Sequence, residues 1–293
     1  MKILLFGKHG QLGWELQRSL QGLGQVLAYD YPEVDFIAPS SLRRLIEETR
    51  PQIVINAAAY TDVDKAESEP ERAKLINAEA PALLAEVCRR LGAAFIHYST
   101  DYVFDGQKGT PYTESDAPHS LNVYGQTKLE GDQAILELGG PNLIFRTAWV
   151  YSMRQDSFVT KVLRWAHSQY EMRIVEDQVS NPTWARALSE ITAQLLAKAG
   201  LNPLPWLSER RGLYHLAGRG FATRLEWAKA IVRNDPSGAQ QLARTILSAR
   251  SVDFLAPGTR PHFSALDCSL FERTFSLRLP DWEVALPLAM ETS

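Results

Sequence analysis

The chain has 293 residues, of which 45% are hydrophobic and 22% charged, with a formal net charge of −3. That length buries a full core as one large domain or two lobes, and the charge balance leaves no footprint for nucleic acid or an anionic membrane. No apolar run reaches the roughly eighteen residues that span a bilayer; two cysteines, Cys88 and Cys268, exclude a disulfide framework, and with no signal-peptide pattern at the start the expected compartment is the cytoplasm.

The N-terminal half alternates short apolar runs with helical periodicity, the pattern of a parallel α/β sheet. Strands are predicted at residues 2–6, 26–29, 53–56, 94–99 and 142–146. Leu42, Leu45, Ile46 and Thr49 form a helical stripe behind a Ser40/Ser41 cap and ahead of Pro51. Leu84 to Leu91 form a second stripe, ended by Gly92, with Cys88 on its apolar face. Beyond residue 150 the pattern loosens. Helices are predicted around Val159 to Ala166 and Leu188 to Leu195, a strand at residues 212–216, and a helix from a Thr223 cap to Val232. The proline-rich stretches 202–205 and 256–261 read as loops. The expected architecture is a Rossmann-type doubly wound parallel sheet over residues 1–150. A smaller mixed lobe over residues 151–293 would be mainly substrate-binding, with some segments returning to the sheet.

Gly7-Lys-His-Gly10-Gln-Leu-Gly13 directly follows the first strand and opens a helix carrying Leu12, Leu16 and Leu20. In that context glycines serve a dinucleotide: Gly7 for the tight turn, Gly10 for approach of a pyrophosphate to the helix N-terminus, Gly13 for close helix–strand packing. Asp30 ends the second strand and suits a ribose 2′-hydroxyl, which favours NAD; Lys8, Arg43 and Arg44 could instead meet the 2′-phosphate of NADP. Ala57, Ala58 and Ala59 close the third strand with small side chains, so a cofactor can lie against the backbone there.

Tyr124 and Lys128 are four residues apart and share one face if their segment is helical. An ammonium beside the phenol would pull its pKa down from about 10 toward neutrality, and such a tyrosine can protonate a carbonyl oxygen as its carbon is reduced. Ten tyrosines and about one lysine in twenty residues give about half a match by chance. The pattern therefore takes its weight from the glycine turn, from Asn56-Ala-Ala-Ala59 and from Ser99-Thr100-Asp101 ahead of it. None of the six histidines has a zinc-site spacing, and no serine-nucleophile elbow is present.

With these motifs in order, the chain resembles the extended short-chain dehydrogenase/reductase superfamily. Leu5-Phe-Gly-Lys-His-Gly-Gln-Leu-Gly-Trp-Glu-Leu16, Ala59-Tyr-Thr-Asp-Val-Asp-Lys-Ala-Glu-Ser-Glu-Pro70, Ser99-Thr-Asp-Tyr-Val-Phe-Asp-Gly106 and Phe145-Arg-Thr-Ala-Trp-Val-Tyr151 are similar to the dTDP-4-dehydrorhamnose reductase family. So is Leu121-Asn-Val-Tyr-Gly-Gln-Thr-Lys128. The resemblance implies NADPH- or NADH-dependent reduction of the 4-keto group of a dTDP-4-keto-6-deoxyhexose, dTDP-4-dehydro-β-L-rhamnose, to dTDP-L-rhamnose. It implies Tyr124 as proton donor, Lys128 as the group that tunes it and holds the nicotinamide ribose, and Thr100 as a second hydroxyl on the keto oxygen. Asp101, Val103, Trp149 and Arg260 would touch substrate, with Trp149 on the hexose and Arg260 on the diphosphate. Gln11, Leu12, Asp35, Phe36, Tyr60 and Thr61 would be cofactor neighbours. A homodimer is implied too, and Mg²⁺ by resemblance only, with Glu15 one candidate and a plain surface carboxylate its better reading. The alternatives are reduction of another dTDP-4-keto-6-deoxyhexose and a non-catalytic nucleotide-binding regulator, which would not need Thr100, Tyr124 and Lys128. Departures fall in the C-terminal half, at Trp184 after Pro182-Thr183 and at His262-Phe263-Ser264 after Arg260-Pro261.

Overall fold

The computed structural model describes residues 1–291. The five apolar runs of the N-terminal half form strands β1 (Lys2–Phe6), β2 (Gln25–Tyr29), β3 (Ile53–Asn56), β4 (Ala94–Thr100) and β5 (Asn142–Thr147), joined late in the chain by β6 (Gly212–His215). They make one six-stranded sheet in the order β6-β5-β4-β3-β1-β2, parallel throughout. Every residue of β3 and β4 is buried, as expected of a parallel sheet with helices on both faces.

The covering helices are α1 (Gln11–Ser19), α2 (Pro39–Thr49), α3 (Ala80–Leu91), α4 (Val123–Leu138) and α5 (Ala185–Ala199). On one face, Leu12 and Leu16 of α1 and Leu188, Leu195 and Leu196 of α5 pack on Ile3, Leu5, Ile53 and Ile55. On the other, Leu42 and Ile46 of α2, Leu84 and Val87 of α3 and Ile135 of α4 pack on Leu4, Phe6, Val54 and Phe95. A third core gathers Tyr151, Val159, Val162, Met172, Trp227, Ile231 and Leu286 beside the sheet. It is built from helices Phe158–Ser168, Arg224–Arg233 and Trp282–Glu291 and the parallel strand pair Glu171–Val175/Thr245–Ala249. Thr223 caps its helix as expected, in a reciprocal box with Glu226.

Two local expectations fail, both over proline. Neither Ser40 nor Ser41 caps α2. The cap is Ala38, and Pro39 occupies the first turn, where its fixed φ suits a helix and its missing N–H costs nothing. Residues 202–205 are not wholly loop either: Pro203 starts a helix, Pro203–Glu209, for the same reason. No helix among the described residues is long and apolar enough to cross a membrane.

The chain runs from β1 outward to β2 and later returns to β3 on β1's other side. In such sheets the crevice opens beyond the carboxyl ends of the strands, at that reversal.

Candidate active site

A cleft of about 550 Å³ lies there, formed by the residues that follow β1 to β5. From the expected cofactor set it brings together Gly7, Gly10, Gln11, Leu12, Asp30, Ala57, Ala58, Ala59 and Thr61. From the expected chemical set it adds Thr100, Asp101, Tyr124, Lys128 and Trp149.

The glycine turn is set by contact distances. Gly7 has φ +87°, and a Cβ on it would stand 2.6 Å from the Ala58 nitrogen. A Cβ on Gly13 would stand 1.8 Å from the Gly7 oxygen, so Gly13 lies behind the cleft and lets α1 sit against the turn. The Asp30 carboxylate accepts from the His9 N–H at 2.9 Å and the Tyr31 N–H at 2.8 Å, which fastens the turn to the end of β2. The three basic candidates for a 2′-phosphate all have carboxylate partners: Lys8 with Glu33 at 2.5 Å, Arg43 with Glu86 at 3.1 Å, Arg44 with Glu48 at 2.7 Å.

Several expected residues stand elsewhere. Phe36 is in the core, edge-on to Phe6 at 5.5 Å, and Asp35 accepts from the Ile37 N–H in a turn. The Tyr60 hydroxyl donates to Glu69 and its N–H to Asn77. Val103 is fully buried among Phe104, Leu129 and Leu266. Arg260 does not line the cleft. Its guanidinium is forked onto Asp64, at 2.6 and 2.7 Å. Glu15 lies in a groove with Arg18, Arg186 and Glu190, and among the described residues no group of three or more His, Cys, Asp and Glu is placed to hold a metal ion.

Tyr124 stands in the first turn of α4, whose start is fixed by the Asn122 side chain accepting from the Gly125 N–H at 2.8 Å. Its ring packs edge-on to Tyr102 at 5.9 Å. The expectation of a lowered phenol pKa is not met: burial pushes it well up, and the nearby Thr100 hydroxyl only partly opposes this. Lys128, one turn on, has its nitrogen held by partners other than the phenol. Nζ donates to the Tyr98 carbonyl at 2.6 Å and lies 2.9 Å from His97 Nε2. Helical spacing puts both residues on one face, yet the flexible lysine stem follows the nearest buried acceptors. Burial draws the Lys128 pKa down to about 8, against the nearby Asp132 carboxylate.

Adjacent positions in β4 diverge. The Ser99 hydroxyl donates to Asp132 at 2.9 Å, joining a buried ion pair of Asp132 with Arg146 at 3.0 Å. Thr100 lies beside Tyr124 and donates to Asp101 at 3.3 Å. Asp101 in turn accepts from Ser180 at 2.9 Å and Ser264 at 2.5 Å, so one buried carboxylate joins the end of β4 to two C-terminal segments. Burial pushes its pKa up to about 6, the two serines opposing.

Sequence reasoning missed Arg224. Its guanidinium lies 3.6 Å from the centre of the Trp149 ring, while Trp149 stacks on Trp227 at 5.4 Å and 12°. Trp149 is held at φ +39°, a left-handed conformation that costs a non-glycine residue about 1–3 kcal/mol. Trp149, Arg224, Phe158 and Lys161 line a hollow that shares Gln11 and Thr61 with the cleft. Arg224 followed a helix cap in sequence, and nothing there marked it as facing Trp149.

Sheet order, glycine turn and the tyrosine–lysine helix define the class: a Rossmann-type α/β protein. A family model described as the RmlD substrate binding domain matches residues 1–293. The dTDP-4-dehydrorhamnose reductase of Burkholderia thailandensis is 42% identical over 99% of this chain and 98% of its own length. Two solved structures are similar over 100% of this chain and 99% of theirs: dTDP-4-dehydrorhamnose reductase from Clostridium acetobutylicum, with a TM-score of 0.90 at 31% identity, and that of Bacillus anthracis in complex with NADP, with 0.89 at 30%. The chain belongs to the dTDP-4-dehydrorhamnose reductase family.

Proposed function

We propose that the protein reduces the 4-keto group of dTDP-4-dehydro-β-L-rhamnose to give dTDP-L-rhamnose, with NADPH or NADH as reductant. The observation that carries this reading is the placement of Thr100, Tyr124 and Lys128 together in a cleft floored by the glycine turn. The cleft suits a dinucleotide: Gly7 admits no Cβ, and Gln11 Oε1 and Thr147 Oγ1 are buried polar atoms with no partner among the described residues. Gly7, Gly10, Gln11, Leu12 and Ala57 to Ala59 would hold it, with Lys128 at the ribose. When bound, the reduced nicotinamide supplies hydride to the keto carbon.

The protein's own part is acid catalysis. A phenol whose pKa is raised by desolvation keeps its proton until negative charge develops beside it. Tyr124 then gives that proton to O4. Thr100 donates to the same oxygen and, with Tyr124, forms a two-hydroxyl site for the developing alkoxide. Trp149 lines both the cleft and the hollow and would stand beside the hexose, while Arg224, lying on its ring, brings a cation to that hollow. The lobe around Tyr151 and Trp227 is in this reading the substrate-binding half, set against the dinucleotide-binding sheet. The test follows loss of nicotinamide absorbance with enzymatically made keto sugar and each cofactor in turn. Binding of both cofactors without turnover would overturn the enzyme reading.

A further inference from the structure

Behind Lys128 runs a chain of three buried polar side chains. Asn56 and His97 are fully buried and Lys128 nearly so. Lys128 Nζ is 2.9 Å from His97 Nε2, His97 Nδ1 is 3.1 Å from Asn56 Nδ2, and Asn56 Oδ1 accepts from the Ala58 N–H at 3.1 Å. Ala58 is part of the cleft floor.

Donors and acceptors along this chain are not free to vary. The Ala58 N–H can only donate, so Asn56 turns its oxygen to Ala58 and its amide N–H to His97. His97 Nδ1 must then accept, and a neutral imidazole carries its proton on Nε2. That N–H points at Lys128, whose nitrogen accepts it only as the neutral amine. The ammonium form requires the reverse. His97 then accepts at Nε2 and carries its proton on Nδ1, and Asn56 turns over to receive it, giving up the Ala58 N–H.

We propose that His97 and Asn56 are positioning residues that tie the charge on Lys128 to the hydrogen-bonding state of the Ala58 N–H, through a change of imidazole tautomer. In all, one proton enters from solvent: the Nε2 proton passes along its hydrogen bond to Lys128 and a solvent proton joins Nδ1, so His97 remains neutral. Its burial and the neighbouring lysine also hold its pKa well below the ordinary histidine value. With Lys128 charged, the N–H of Ala58, on the cleft floor, loses its acceptor on Asn56. The other charged group facing Lys128 is Asp132 from its own helix, which Arg146 of β5 neutralises. The inference deepens the reductase reading and rests on it for the meaning of Lys128. Its test reads spectra rather than turnover, so the two fail separately.

Long-range proton–nitrogen NMR on the full chain with isotope-labelled histidine reports which ring nitrogen carries the proton. The His97 signal is the one absent from His97→Gln. In the wild-type protein the proton should reside on Nε2 at high pH and on Nδ1 at low pH, with the midpoint at the Lys128 titration near about 8. Lys128→Met should hold the Nε2–H form throughout. Asn56→Asp, which can only accept, should hold the Nδ1–H form. A wild-type His97 with one tautomer across the titration of Lys128 overturns the proposal, as does a switch that persists in Lys128→Met. Because the wild-type protein carries the main readout, a variant that failed to fold would not remove the test.

Discussion

The Asp101 carboxylate makes a pH-dependent prediction with an unusual sign. Its pKa is pushed from an ordinary 3.8 up to about 6 by burial, so between those values the native protein keeps a proton that the unfolded chain has released. Stability then falls as pH rises through that window. A shift of roughly two units at about 1.4 kcal/mol each makes the loss about 3 kcal/mol. Asp101→Asn removes the titration and keeps the contacts, since the amide oxygen can accept from Ser180 and Ser264 while the amide N–H donates to Thr100. Urea unfolding of both proteins at a series of pH values gives the stability difference, in which all other titrating groups cancel. The variant should gain about 3 kcal/mol on the wild type between about pH 4 and pH 7. A difference that does not change with pH, or that favours the wild type increasingly toward neutrality, would refute the argument.

Tyr124→Phe should lower kcat by about 10²–10⁴-fold, the usual worth of a positioned acid, with dinucleotide affinity by fluorescence titration little changed; wild-type turnover would place the proton donor elsewhere. Gly13→Ala puts a methyl where only 1.8 Å is available to the Gly7 oxygen. Displacing α1 from the turn should cost about 1–3 kcal/mol or more in urea unfolding and weaken dinucleotide binding, and unchanged values for both would contradict the close packing. Arg146→Met strands the buried Asp132 charge and should cost about 3–5 kcal/mol; adding Asp132→Asn should recover most of that, whereas simple additivity would deny the pair. Arg224→Met should raise KM for the keto sugar several-fold and leave cofactor affinity alone. An unchanged KM would remove Arg224 from the substrate site.

What the sequence made legible were features set by near neighbours. Buried strands such as Ile53–Asn56 appear as continuous apolar runs, because both faces of the sheet are covered. The glycine turn was readable because Gly7 and Gly13 meet each other across only six residues. Contacts across the fold were not. Lys128 was assigned to Tyr124 by helical spacing, yet His97 is 31 positions away in sequence and 2.9 Å away in space. Arg260 carries the donor fork a diphosphate would need, but Asp64, 196 residues distant, already occupies it. The proline at 203 misled because its effect depends on whether it falls in the first turn of a helix or inside one.

Asp101 also orders events during synthesis. Its serine partners are Ser180 and Ser264, and the sheet face that carries Leu12 and Leu16 is covered by residues 185–199. At about 5–20 residues per second, the stretch from Thr147 to Ser264 leaves the ribosome on the order of ten seconds after the fifth strand. Until residues 185–199 emerge the nascent protein carries an apolar face covered by α1 alone, and until Ser264 it carries a carboxylate without its full clasp. The reactive end of the cleft is translated early, and the residues that close around it arrive among the last.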